Sequence, residues 1–255
     1  MFNLQKPKII FFLMAYLLLA QPVTADSKND TLVNDNYVQL QTEKNQKFSS
    51  YIVGPEKAKQ GILLIHGWWG LTQEVETWAN QYAAKGYRVM AVDLYNKQVT
   101  KNPTKAKKLM RSVDQSMANE IYITAIKYLS SSERKIAIIG KSYGASQTLH
   151  AASVGQDKIS AAIIYYPYGE LIRDKKRLSS IKAPILGHFA NDDFFLSSEK
   201  LTNFTSIIKT SGLNMDVNKY NARHSFASPT SNNFQEAART LSYNRTRQFL
   251  DKYLN

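Results

Sequence analysis

The chain contains no cysteine. This removes disulfides, thiol nucleophiles, cysteine-based metal sites and lipidation at cysteine in one step. Stability must then rest on an apolar core, which excludes a small disulfide-stapled domain. Glycine (11) and proline (7) are too sparse for a fibrous or low-complexity chain. Long hydrophobic runs are scarce as well. The run Ile9–Ala20, IIFFLMAYLLLA, has 12 residues, short of the ~20 that a spanning helix needs. Acidic residues are outnumbered, 20 against 33 basic, for a net charge of +13. This balance favours loose contact with anionic envelope surfaces. The lysines are scattered and no nucleic-acid motif accompanies them, so no nucleic-acid partner is expected.

Within its 255 residues the sequence has room for one α/β domain with a full core. Lys6 and Lys8, the apolar run and then Val23-Thr24-Ala25 have the layout of a secretory signal peptide over residues 1–25, cleaved near Ala25. Export to the periplasm or the medium is the expectation. Residues 26–36 are polar and aperiodic and read as a flexible leader. From Tyr37 to the end, residues 37–255, the pattern is that of one domain. Tyr37–Leu40 and Phe48–Val53 read as a hairpin of edge strands. Strand patterns then recur at Gly61–Ile65, Tyr87–Leu94, Lys135–Ile139, Ile159–Tyr165, Pro184–Ala190 and Met215–Tyr220. Helical patterns separate them: Gln73–Lys85, one long region from Pro103 to about Leu129, Tyr143–Ser153, Ser197–Ser211 and Asn233–Leu254. Alternation of this kind predicts an α/β fold, a mostly parallel central sheet with helices on both faces. In such sheets the chemistry lies beyond the carboxyl ends of the strands.

One strand ends in Gly140-Lys141-Ser142-Tyr143-Gly144, a G-x-S-x-G sequence followed at once by a helix. That strand–turn–helix setting is what a nucleophile elbow requires, so Ser142 is the candidate nucleophile. A serine hydroxyl needs a base to take its proton, and there are four histidines to choose from. His66 ends a strand ahead of the nucleophile. His150 and His188 fall inside a helix and a strand and read as packed rings. His224 follows the last strand in the loop Asn221–Phe226, where a base can reach over the elbow. The third member, which orients the base, is Asp192 or Asp193, and spacing alone does not choose between them. Backbone N–H groups of Trp68, in the loop His66-Gly67-Trp68-Trp69-Gly70, and of Tyr143 are the expected oxyanion donors. Trp69, Tyr95 and Tyr166 are candidate pocket residues. No cluster has metal-ligand spacing, and neither metal nor cofactor is expected.

The segments IHGWWGL (Ile65–Leu71), VDLYNK (Val92–Lys97), GKSYG (Gly140–Gly144), GHFANDDFFLS (Gly187–Ser197) and YNARHSF (Tyr220–Phe226) stand in the order seen in one family. The chain resembles the dienelactone hydrolases, members of the α/β-hydrolase superfamily. The resemblance implies the α/β-hydrolase fold and the set Ser142, Asp193 and His224, and it selects Asp193 over Asp192. Three departures stand out. The best-known members carry cysteine where this chain has Ser142, often glutamate where it has Gly67, and an arginine near the segment where it has Asn96-Lys97-Gln98. The expectation is a serine hydrolase acting on a small-molecule ester or lactone. An amidase or peptidase with the same triad, and a non-catalytic envelope-interaction protein, are the alternatives.

Overall fold

The structure, a computed structural model, describes residues 36–130, 133–168 and 175–255. The candidate signal peptide, and the leader as far as residue 35, lie outside the described residues. Eight strands form one sheet: β1 (Tyr37–Gln41), β2 (Lys47–Val53), β3 (Gln60–Ile65), β4 (Arg88–Val92), β5 (Lys135–Lys141), β6 (Ile159–Tyr165), β7 (Ile185–Asp192) and β8 (Met215–Arg223). Their spatial order is β1-β2-β4-β3-β5-β6-β7-β8. The β1–β2 hairpin and the β2–β4 pair are antiparallel, and every later pairing is parallel. The sheet is therefore mostly parallel, with its antiparallel part at one edge.

The run GILLI illustrates why the central strands read as continuously apolar. Side chains alternate between faces of a sheet with period two. Leu63 and Ile65 enter one core with Ile121, Tyr122, Leu149 and Phe204. Ile62 and Leu64 enter the other with Trp78, Tyr82, Phe249 and Leu250. Both faces are covered, so both parities must be apolar. The covering helices are α1 (Gln73–Ala83), α2 (Pro103–Ser112), α3 (Gln115–Ser130), α4 (Tyr143–Gly155), the short α5 (Lys175–Leu178), α6 (Ser198–Thr210) and α7 (Glu236–Leu254). Among the described residues no helix is long and apolar enough to cross a membrane.

Two expectations are corrected here. The region from Pro103 to Leu129 is two helices, broken at Val113, whose backbone is extended. Asp114 then accepts a hydrogen bond from the Met117 N–H at 2.8 Å, and this capping bond starts a new helix in place of continuing the old one. The last strand also runs further than Tyr220, through Arg223. His224 is consequently the first residue off the strand, anchored by the pairing of Asp192 with Arg223.

Candidate active site

Five chain segments meet where the strands end. Ser142 follows β5, the 66–70 loop follows β3, Tyr166 follows β6, Asp193 follows β7 and His224 follows β8. Ser142 sits at the turn into α4 with φ +55° and ψ −122°. A non-glycine residue held there stores ~1–3 kcal/mol of strain. The turn is pinned by the Ser142 N–H donating to the Tyr165 carbonyl at 2.9 Å. Its two glycines are sterically fixed. A Cβ on Gly140 would lie 2.1 Å from the Gly144 carbonyl oxygen, and one on Gly144 would lie 2.2 Å from that of Ile65.

The Ser142 hydroxyl lies 3.0 Å from His224 Nε2. On the far side of the ring, His224 Nδ1 lies 2.9 Å from Asp193 Oδ2 and 3.2 Å from Oδ1. Both His224 (8% exposed) and Asp193 (7%) are buried. The carboxylate is itself held in place, because Oδ1 accepts from the backbone N–H groups of Phe195 (2.9 Å) and Leu196 (3.2 Å). The neighbouring Asp192 is exposed and pairs with Arg223 Nε at 2.9 Å on the surface. The two adjacent aspartates thus have different partners, and only Asp193 faces the imidazole. The His224 carbonyl accepts from Asn233 Nδ2 at 3.0 Å, which ties the histidine to the loop before α7. A hydroxyl, an imidazole and a buried carboxylate in series can transfer a proton from the serine to the ring while the carboxylate holds the other ring proton.

No hydrogen bond among the described residues uses the N–H of Trp68 or of Tyr143. Tyr143 is the first residue of α4, where N–H groups have no intrahelical acceptor. Both N–H groups are therefore unengaged next to the elbow. The loop carrying Trp68 is braced by His66. Its Nδ1 donates to the Gly67 carbonyl at 2.7 Å, and its Nε2 accepts from the Leu94 N–H at 3.0 Å. Burial pushes the His66 pKa below the ordinary value, in keeping with this neutral bracing form.

A cavity of about 400 Å³ opens on Ser142 and His224. Trp69 and Tyr166 line it, together with Trp68, Tyr168 and Phe195. Tyr95 does not line it, which corrects that expectation. The Asp93 carboxylate accepts from the N–H groups of Tyr95 and Lys97 and turns the chain inward. The Tyr95 ring is left buried behind the loop, 4.6 Å from the His66 ring. His188 is packed, as expected for a strand residue, between Tyr220 Oη (2.8 Å) and Thr246 Oγ1 (2.9 Å). His150 is away from the cavity, and its Nδ1 has no hydrogen-bond partner among the described residues.

Other cavity residues escaped the sequence reading. Thr72 comes from just before α1, Glu74 and Trp78 from within it, and Ser228, Thr230, Ser231 and Asn232 from the loop after His224. Lys141, inside the elbow motif itself, also lines the cavity, with Nζ 4.0 Å above the Trp78 ring centroid. Burial lowers its pKa to about 8 against an opposing pull from Glu74. The sequence signal for Lys141 was its motif position, which places it beside Ser142.

The chain is similar to known proteins over most of its length. A profile of the Dienelactone hydrolase family matches residues 48–254. Protein usf of Aquifex pyrophilus is 24% identical over 228 residues, covering 84% of this chain and 98% of that protein. A carboxymethylenebutenolidase of Pseudomonas putida is 24% identical over 230 residues, covering 84% and 94%. The crystal structure of a putative dienelactone hydrolase from Klebsiella pneumoniae superposes with a TM-score of 0.74 at 17% identity, covering 85% of this chain and 99% of that one. That likeness shows a shared fold. With the family profile spanning most of its length on an α/β-hydrolase sheet, the chain belongs to the dienelactone hydrolase family.

Proposed function

We propose that the protein is a serine hydrolase that opens a carboxylic ester or lactone through an acyl-enzyme on Ser142. The observation that carries this reading is the hydrogen-bonded series from Ser142 Oγ through His224 to the buried Asp193. Ser142 Oγ attacks the carbonyl carbon while its proton passes to His224 Nε2. Asp193 keeps the other ring proton on Nδ1 and stabilises the imidazolium. The backbone N–H groups of Tyr143 and Trp68 receive the developing oxyanion. The tetrahedral intermediate collapses, and the leaving alkoxide takes the proton from His224. Water then attacks the acyl-serine, with His224 again acting as base and then returning the proton to Ser142. Relatives named carboxymethylenebutenolidase support an ester or lactone bond as the target. Paired 4-nitrophenyl esters and 4-nitroanilides of one acyl group test the bond type. Faster turnover of the ester by at least ~100-fold is expected, and comparable anilide turnover would make the enzyme an amidase.

The reading includes export, supported by Lys6, Lys8, the run Ile9–Ala20 and the small residues up to Ala25. Protein recovered from the envelope or medium should begin near Asp26 by intact mass. Retention of residues 1–25 there would refute it.

A further inference from the structure

The cavity is two-sided. Trp68, Trp69, Tyr168 and Phe195 supply aromatic faces. The other lining is polar and contains two donors with little to donate to. Lys141 Nζ stands over the Trp78 ring and makes one long hydrogen bond, 3.4 Å to the Ala227 carbonyl. The Tyr166 hydroxyl, on a residue only 1% exposed, has no acceptor for its proton among the described residues. A buried donor left without an acceptor is costly unless a ligand supplies one. Both residues line the cavity that holds Ser142.

We propose that Lys141 and Tyr166 form a subsite for the hydroxyl oxygens of a neutral polyhydroxylated group, so that the substrates are esters of sugars or polyols, or lactones of sugar acids. This rests on the hydrolase reading above. Charge decides between a polyol and an acid. The Glu74 carboxylate also lines the cavity, where it accepts from the Ser228 and Thr230 hydroxyls. It offsets the lysine charge, so a substrate carboxylate entering this end meets a like charge beside an unlike one. A hydroxyl can accept from Lys141 or Tyr166 and donate to Glu74, matching both signs. The aromatic wall suits the C–H faces of a sugar ring, whose hydroxyls point to the ring's rim. A volume of about 400 Å³ is within the range for small ligands.

Matched probes test this. Glucose 6-acetate and hexyl acetate share a primary acetate on a six-carbon alcohol and differ in hydroxyls. Glucono-δ-lactone and δ-valerolactone form the corresponding lactone pair. The acetate of 6-hydroxyhexanoic acid adds a carboxylate in place of hydroxyls. In at least one pair, kcat/KM should favour the hydroxylated member by about tenfold or more, the scale of one or two hydrogen bonds. The carboxylate probe should do no better than hexyl acetate. Y166F and K141M should each shrink the preferred pair's ratio by about threefold or more. Y166F removes one oxygen atom, so it decides the matter if K141M does not fold. Absence of preference in both pairs, with all probes hydrolysed, overturns the proposal, as does a carboxylate probe favoured over the others. Failure to hydrolyse any probe, with no fluorophosphonate labelling, would instead remove the hydrolase reading.

Discussion

Replacing Asp193 by asparagine should disable the enzyme by turning one proton around. Asp193 Oδ1 accepts from the N–H groups of Phe195 and Leu196. In Asp193→Asn the amide oxygen must keep that place, since an NH2 group there would face two donors. The NH2 group then occupies the position of Oδ2, 2.9 Å from His224 Nδ1 in the wild type. It can only donate, so Nδ1 must accept and the ring proton moves to Nε2. That nitrogen lies 3.0 Å from Ser142 Oγ, and once protonated it cannot take the serine proton. The expected loss in kcat is about 10⁴-fold, or ~5 kcal/mol of barrier at ~1.4 kcal/mol per decade. The two backbone bonds survive, so Tm should stay within a few degrees. Asp192→Asn breaks an exposed pair with Arg223, and such pairs contribute little. Its kcat should fall by less than about threefold. Steady-state kinetics on one activated ester, with melting curves, measure both. A collapse in Asp192→Asn beside near-normal Asp193→Asn would refute the assignment of partners. Equal, modest losses would mean that neither carboxylate orients His224.

Two further outcomes follow from the fold. Gly144→Ala should cost about 3 kcal/mol, roughly 6–12 °C in Tm, because the new methyl meets the Ile65 carbonyl at 2.2 Å, whereas Gly67→Ala meets only the Lys141 carbonyl at 3.5 Å and should shift Tm by less than about 2 °C; similar Tm values for the two would refute the packing argument. Acid should also destabilise the fold, since burial holds the His188 pKa down at about 3 while an unfolded histidine protonates near 6.5. The unfolded chain then binds more protons between those values, so stability falls as pH drops from about 6.5 toward 3, by at most ~1.4 kcal/mol per pH unit for this group. His188→Gln should flatten that slope in denaturant titrations, and an unchanged slope would place the acid sensitivity elsewhere.

The legible parts of the chain were those where one local rule governs. The elbow at Ser142 was readable because a strand, a tight turn between two glycines and a helix start all fall within a few residues. The buried strands were readable because both faces of the sheet demand apolar side chains, as Ile62–Ile65 show. The break at Val113 was missed because apolar spacing continues across it, while the deciding bond is a single cap from Asp114. Tyr95 was misplaced because its direction is set by the Asp93 carboxylate folding back on the chain, which periodicity does not record. Lys141 and Glu74 come together from residues 67 apart in the sequence, and only the closed sheet brings the end of β5 to the start of α1. The polar loop after His224 reads as an ordinary connection, yet its serines, threonine and asparagines line the cavity.

The central claim is that Ser142 is the nucleophile, and covalent capture tests it most directly. Incubation with a fluorophosphonate should add one adduct mass to the wild-type protein, with peptide mapping placing it on Ser142. Ser142→Ala should take up no label and lose about 10³-fold or more in turnover, with an unchanged melting curve. Normal labelling of Ser142→Ala, or an adduct mapped to any other residue, would contradict the account.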